Sequence, residues 1–334
     1  MFAMGGGSAL DSQGGMAQSA FEGIKFLQFL FNLLSLGNLY TNTILFNGIA
    51  AWAFLSCWIF LKDQFESWVP GAWLFLFPSA FFYTSGIHKE GILFVLIALL
   101  IPVCCKMITR FSAKRLLTAA VLFFLFVFFK FFVAVFFAGA VLLYWLLVKF
   151  PKHPVLVVAA GVLAAVVLFF VSGWLLPSHG LPQVIVHRQQ EFLALEAASS
   201  FKTVLLEPNF ISFMKALPRA AFNVFFRPMP GDGGKALYYV YTFEIFLFWA
   251  FVLYMLIKNR FHLLLKNIPA LVWALFVFAV FNLLIIGYTI PNVGATMRYR
   301  SIFLPFAGLL FWYAFNGTKY FNLKPAGKKE SGDG

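Results

Sequence analysis

LLTAAVLFFLFVFFKFFVAVFFAGAVLLYWLLV, residues 116–148, is a run of 33 residues whose only charged side chain, Lys130, lies near its middle. As one helix the run would be about 50 Å long, which exceeds a hydrocarbon core of roughly 30 Å. Basic segments flank it on both sides, KMITRFSAKR (106–115) before it and KFPKH (149–153) after it. Because basic loops favour the cytoplasm, the sequence predicts two membrane-spanning helices that form a hairpin turning at Lys130.

The composition extends this prediction to the whole chain. The residues are 62% hydrophobic and 11% charged, whereas a soluble domain carries about 25% charged residues. The net charge of +13 does not indicate nucleic-acid binding, because the basic residues separate apolar runs and form no continuous face. We predict an all-α, polytopic transmembrane bundle of about nine spans. They lie near 40–61, 71–85, 91–105, 116–129, 131–148, 155–176, 237–257, 268–288 and 301–315.

Alternation of these spans predicts a multi-pass protein of the cell inner (cytoplasmic) membrane. Its parts are an extracytoplasmic N-terminal loop and interfacial helix (1–38), a bundle (39–315) with an extracytoplasmic loop (177–236), and a cytoplasmic tail (316–334). The amphipathic stretch FEGIKFLQFLFNLLSLGN (21–38) is the predicted interfacial helix. It follows no basic signal-peptide region, so either the N-terminus is exported unaided or a first helix is encoded upstream.

Charged groups near hydrocarbon are costly, so those at the predicted outer ends of the spans are functional candidates. Four groups collect there: Asp11, the turn SGIHKE (85–90), Lys130 among phenylalanines, and the segment Arg-Tyr-Arg (298–300). Glu244, about two turns into a span, is expected to need a cationic partner. Besides Asp11, the candidate site residues are His88, Lys89, Glu90, Lys130, His187, Arg188, Arg227, Glu244, Arg298, Tyr299 and Arg300.

Structural interpretations compete with the functional one for the cations. Lys130 can snorkel from an aromatic hairpin tip to the lipid headgroups. Lys89 and Glu90 can pair with each other at a helix end. Arg298 and Arg300 can anchor to anionic lipids.

The remaining candidates have structural interpretations too. His88 has no second ligand at metal spacing, and His187 and Glu191 are spaced as a surface pair on a helix. Asp11, in a glycine-rich stretch, is typical of a turn. The collection of these groups on one face favours a site more than any single residue does.

Cations beside a lipid-facing surface suit a phosphate or pyrophosphate headgroup, because guanidinium groups bind phosphate oxygens in pairs. A carboxylate among them could deprotonate an acceptor hydroxyl. Sugar transfer from a lipid phosphate needs little more, since the phosphate is a good leaving group and cations stabilise its developing charge. Ordinary glycosidases differ, since they need a paired acid and base.

Two motifs resemble those of bacterial GT-C-type integral-membrane glycosyltransferases. FPSAFFYTSGIHKEG (77–91) resembles the Pro-Ser…Ser-Gly…Lys-Glu turn of that family. NVGATMRYRSIFLP (292–305) resembles its Gly…Arg-Tyr-Arg…Pro segment before a late helix. FFKFFVAV (128–135), EFLAL (191–195) and PRAAFNVFFRP (218–228) are similar with less specificity.

The resemblance implies transfer from a polyprenyl-phosphate-sugar donor on the outer face, with a catalytic Asp in the first extracytoplasmic loop. Asp11 matches that position and would be the base. Arg298 and Arg300 would hold the lipid phosphate, with Lys89 and Lys130 assisting. The family has a helix before this loop, so the resemblance implies either a chain that lacks its first transmembrane helix or a relative whose activity the resemblance does not determine.

Two other classes stay open. A lipid-linked polysaccharide polymerase or ligase could rely on outward cations with no essential carboxylate. A transporter or flippase commonly has inverted repeats and mid-membrane charges, which are not found in this sequence. The expected partners are the membrane, a polyprenyl-phosphate lipid and a saccharide or lipid acceptor, with no nucleic acid. No cofactor is assigned, and a divalent metal stays open. Cys57, Cys104 and Cys105 lie in apolar runs and are not expected to form disulfides.

Overall fold

The computed structural model describes residues 14–65, 77–176, 180–195, 199–232, 236–258 and 268–316. Within these ranges the chain forms twelve helices and no β-strand, and an isolated β-bridge joins Ser200 to Asn292. The predicted all-α fold class is therefore confirmed.

The helices follow the apolar runs of the sequence. Their bounds are α1 Gly14–Ser35, α2 Leu39–Phe65, α3 Pro78–Thr84, α4 Lys89–Thr109, α5 Ala113–Lys149, α6 Pro154–Leu175, α7 Leu181–Leu193, α8 Phe210–Phe226, α9 Ala236–Lys258, α10 Ala270–Thr289, α11 Val293–Arg300 and α12 Leu304–Asn316.

Six of the described helices (α2, α4, α5, α6, α9 and α10) are long and apolar enough to cross a membrane. Five of them each match one predicted span, and the 37-residue α5 covers two. The predicted spans 71–85 and 301–315 correspond to the shorter α3 and α12, of 7 and 13 residues. Positions 71–76 lie outside the described ranges. The chain is a multi-pass helical membrane protein.

Helix α5 is a hairpin with two arms, residues 113–129 and 131–149. Lys130 has non-helical backbone angles, with φ −159° and ψ 85°. The ring centroids of Phe126 and Phe137 are 5.6 Å apart, although eleven residues of straight helix would separate them by about 16 Å. The chain therefore reverses at Lys130, as the sequence predicts.

Contacts distinguish two ends of the bundle. At the first, called the Lys130 end, the Lys130 ammonium lies over the Tyr299 ring. The Gly86 N–H there donates to the Asn47 side chain at 2.8 Å. The second arm of the hairpin runs from there for about 28 Å to Lys149, which marks the other end, the Lys149 end.

Helix α1 begins earlier than the predicted interfacial helix 21–38 and packs on α2 and the hairpin. The Phe31 and Phe46 rings meet edge to face at 6.5 Å. A Cβ at Gly23 would lie 2.6 Å from the Phe128 ring and 3.3 Å from the Phe129 ring. Helix α1 is thus seated against the phenylalanines beside Lys130, and its interfacial position stays a prediction.

The predicted loop 177–236 contains two amphipathic helices, α7 and α8, that cover the end of α10. Phe213 of α8 packs against Tyr288 of α10, whose hydroxyl donates to the Phe213 carbonyl at 3.0 Å. A Cβ added at Gly287 would lie 2.2 Å from the Ala220 carbonyl oxygen. Small residues allow such close helix contacts in membrane proteins.

The approach of α8 to α10 gives a stability prediction. Gly287→Ala is expected to lower the free energy of unfolding by about 1–3 kcal/mol. The new methyl group would overlap the Ala220 carbonyl, which can move away only if α8 moves with it. Gly139→Ala is the matched control, since no heavy atom lies within 4 Å of its added Cβ. That control should be neutral or more stable, as expected for alanine in a helix. Unfolding in detergent, followed by circular dichroism, compares the two, and equal stabilities would contradict the prediction.

The periphery and the sulfur atoms complete the fold. Helix α6 lies at the periphery of the bundle, since none of its 22 residues is buried in the protein. Cys57, Cys104 and Cys105 are buried and free in the structure.

Candidate functional site

Three of the four predicted outward groups meet at the Lys130 end. The Arg298 Nε lies 3.3 Å from the Glu90 Oε1, which joins α11 to α4. The Lys130 Nζ lies 4.1 Å from the Tyr299 ring centroid, which joins the hairpin tip to α11. The fourth group, Asp11, lies outside the described residues.

The turn before α4 presents Glu90 and Lys89 at this end. Gly86 has a positive φ of 99°, which a glycine adopts without strain. His88 is the N-cap residue of α4 and makes no side-chain capping bond. Glu90 follows in the first helical turn, where the helix dipole favours a negative charge. It is 3% exposed, so its carboxylate is held in the interior beside Arg298.

The geometry of α11 separates its two arginines. The Asn292 side chain caps this helix by accepting from the Gly294 N–H at 2.9 Å. Residues two apart differ by about 200° around a helix, so Arg298 and Arg300 point to opposite sides. Arg300 is 1% exposed, and its guanidinium donates to the backbone carbonyls of Val224, at 2.9 Å, and Arg227. We therefore assign Arg300 to the fold, as a tie between α11 and the end of α8.

Glu244 has the expected cationic partner, Arg300, at longer range, while its direct contacts are with Ser79. The Ser79 N–H and hydroxyl donate to its two carboxylate oxygens at 2.8 and 2.6 Å. Burial lowers the pKa of Arg300 to about 10, and the charge of Glu244 opposes that shift. Arg300 thus acts on Glu244 through its charge, while Ser79 makes the contact that joins α3 to α9.

A cavity of about 500 Å³ opens at the Lys130 end between the hairpin, α7 and α10. Its wall is mostly apolar and contains the four phenylalanines that flank Lys130. The charged residues, the histidine and the tyrosine on this wall are Lys89, Lys130, His187, Arg188, Glu191 and Tyr299. The cavity therefore combines a cationic patch with a hydrophobic chamber.

The carboxylates at this site are already matched to arginines. Glu90 lies beside Arg298, and Glu191 accepts from the Arg188 Nη1 at 2.8 Å. Burial opposes the change, but Tyr299 and Glu90 raise the pKa of Arg298 above its usual value. Each of these two arginines is therefore partly neutralised by a carboxylate.

The two lysines on the wall are not matched in this way. Within the described ranges, neither Lys89 nor Lys130 has a carboxylate within 4.0 Å. Lys130 makes a cation–π contact with Tyr299 instead. Two ammonium groups in a largely apolar chamber favour a ligand with negative charge, because an unneutralised charge there is costly.

The loop candidates divide between the cavity and the surface. His187 and Glu191 form the predicted pair, with Nε2 and Oε1 3.3 Å apart, but the pair also lines the cavity. Arg227 bonds to Asp232 and lies 4.4 Å over the Phe201 ring. Arg227 therefore has a local structural role.

Sequence reasoning missed three polar residues. Ser79 gives no local signal, because its partner Glu244 is 165 positions away. Asn282 and Thr289 of α10 line the cavity. Asn282 could have been predicted as a candidate, because a side-chain amide inside a continuous apolar span costs insertion free energy and therefore often has a functional role.

Comparisons of the chain with models of protein families, with curated proteins and with solved structures find no match. In the part of the chain that the structure describes, no cluster of three or more His, Cys, Asp or Glu side chains could hold a metal ion. Fold and site together define a multi-pass helical membrane protein with a cationic, largely apolar cavity at one end of its bundle.

Proposed function

We propose that the chain is a membrane glycosyltransferase that moves a sugar from a polyprenyl-phosphate donor to a saccharide or lipid acceptor. The observation that carries the proposal is the pair of lysines, Lys89 and Lys130, that line an apolar chamber and have no carboxylate oxygen within 4.0 Å among the described residues. An isoprenoid phosphate is a ligand with both required properties, since it carries negative charge on a hydrocarbon chain.

The chemistry of transfer fits these residues. The bond between the anomeric carbon and the phosphate oxygen breaks, and charge accumulates on the departing phosphate. Ammonium groups already positioned at that oxygen stabilise the transition state more than the ground state, and this difference accelerates the reaction. Arg188 and Arg298, each neutralised by a carboxylate, would then shape the cationic patch and supply less net charge.

The proposed location is the inner membrane, with the Lys130 end facing the periplasm or the outside. The support is the charge distribution. The hairpin arms begin and end at the Lys149 end, next to the basic segments 106–115 and 149–153. Such segments favour the cytoplasmic side. The cavity would then open on the face where lipid-linked sugars are used.

Turnover of labelled polyprenyl-phosphate sugars in proteoliposomes tests the proposal. The wild-type chain is expected to release polyprenyl phosphate and label an added acceptor. Lys89→Met should reduce kcat/KM by about 10- to 100-fold, the equivalent of one lost charged hydrogen bond. Lys106→Met, in the other end of α4 and over the Phe60 ring, is the matched control and should retain activity.

The same assay separates the other classes. Elongation of a lipid-linked glycan would indicate a polymerase or ligase. Movement of the labelled donor across the bilayer without cleavage would indicate a flippase. Either result, or no reaction with any donor of the panel, would overturn the glycosyltransferase proposal.

A further inference from the structure

Transfer of a sugar needs a group that accepts the proton of the acceptor hydroxyl. Such a group must reach the reacting atoms and must be open to the incoming acceptor. Among the described carboxylates at the site, Glu90 is buried beside Arg298. Glu191 accepts a hydrogen bond from Arg188 at 2.8 Å, so one of its oxygens is already engaged. Neither carboxylate is free to approach an acceptor hydroxyl.

His187 meets the requirement. It lines the same cavity as Lys89 and Lys130, and 39% of its side-chain surface is exposed. His187 is therefore open to an incoming acceptor. It belongs to α7, which begins after Gly180 with proline at its second position and packs on the end of α10.

Glu191 and Arg188 complete the arrangement. The His187 Nε2 lies 3.3 Å from the Glu191 Oε1, while the Arg188 Nη1 lies 2.8 Å from the Glu191 Oε2. The Arg188 bond fixes the carboxylate, and the carboxylate faces one nitrogen of the ring. This contact favours the tautomer with its proton on Nε2 and the lone pair on Nδ1. A histidine oriented by a carboxylate is a common design for a general base.

We propose that His187 is the general base of the reaction and that Glu191 positions it, an inference that rests on the proposed glycosyl transfer. The acceptor oxygen attacks the anomeric carbon and forms the new glycosidic bond. The bond from that carbon to the phosphate oxygen breaks, and its electron pair leaves with the polyprenyl phosphate. The hydroxyl proton passes to His187 Nδ1, and the imidazolium formed is stabilised by Glu191. Water then takes the proton and restores the neutral ring.

Chemical rescue separates this role from a structural one. His187→Ala in the full chain is expected to lower kcat by 10²- to 10⁴-fold, with little change in the KM of the donor. Added imidazole should restore activity in proportion to its concentration, because the truncated side chain leaves a space on the wall of an open cavity. Glu191→Gln should lower kcat less and show no rescue. His153→Ala, at the start of α6 and at the Lys149 end, is the matched control and should behave as wild type.

The alternative base is Asp11, and the same assay decides between the two residues. Full kcat in His187→Ala, or a loss that imidazole does not restore, would overturn the inference. If Asp11→Asn abolished turnover and His187→Ala remained active, the base would be Asp11 and not His187. Donor cleavage by the wild-type chain is measured in parallel, so the failure of the His187 role is distinguishable from failure of the proposed function.

Discussion

Replacing Lys130 with methionine is expected to lower kcat for sugar transfer by about 10²- to 10³-fold, the loss typical of removing one preorganised donor to a developing oxyanion. Lys130 lies at the reversal of the hairpin, over Tyr299 and among phenylalanines. These apolar neighbours lower the local dielectric constant, so the charge of Lys130 acts on the departing phosphate more strongly than it would in water. Because that charge develops during bond cleavage, kcat should fall more than the KM of the donor rises.

Methionine preserves the apolar stem of Lys130, so the hairpin should remain folded. The matched control is Lys149→Met, at the far end of the same helix, whose ammonium also lies over a ring, 4.9 Å from the Trp145 centroid. Steady-state turnover and thermal unfolding are measured for both variants. Wild-type turnover in Lys130→Met would mean that the lysine only snorkels to the headgroups, and the phosphate site would have to be placed elsewhere.

Arg300→Met is expected to lower the free energy of unfolding by about 3–5 kcal/mol, the usual result of breaking a buried charge network from one side. The guanidinium donates hydrogen bonds to the Val224 and Arg227 carbonyls at the end of α8. Its positive charge also balances the negative charge of Glu244. Methionine would leave the carbonyls without this donor and the carboxylate without its countercharge. Unfolding in detergent, monitored by circular dichroism, measures the effect.

Two further variants test the explanation of the Arg300 effect. Arg219→Met, on α8, removes a guanidinium that bonds the Lys202 carbonyl near the surface, and should cost about 1 kcal/mol or less. Adding Glu244→Gln to Arg300→Met should recover part of the lost stability, since the unbalanced buried charge is removed. A double variant that is less stable than Arg300→Met would show that the two residues are not coupled through their charges.

The hairpin and the convergence of charges were predictable because they follow from the length of the apolar run and from the free-energy cost of a charge inside the membrane. The run 116–148 is too long for one span, and its single charge has to reach an end of the bundle. Once the hairpin turns at Lys130, alternation of the spans brings it to the end that also carries Glu90 and Arg298. The contacts of Arg298 with Glu90 and of Lys130 with Tyr299 agree with this reasoning.

The different roles of the individual cations were not predicted. Arg298 and Arg300 look equivalent in the sequence, but a short helix turns them about 200° apart. The sequence does not show which of the two is buried against α8. The Ser79–Glu244 bond and the carbonyl contacts of Arg300 depend on distant residues. Tertiary packing determines these partners, so no local pattern reveals them.

Helix α6 has a consequence for where the protein can reside. None of its 22 residues is buried in the protein, so in a bilayer much of its circumference is available to lipid tails. At 1.5 Å per residue it is about 33 Å long, close to the thickness of an ordinary bilayer core. A thinner bilayer would force this helix to tilt or the surrounding lipid to stretch, at a cost that grows with each ångström of mismatch. The length of this peripheral helix therefore favours a bilayer whose hydrocarbon core is close to about 30 Å thick.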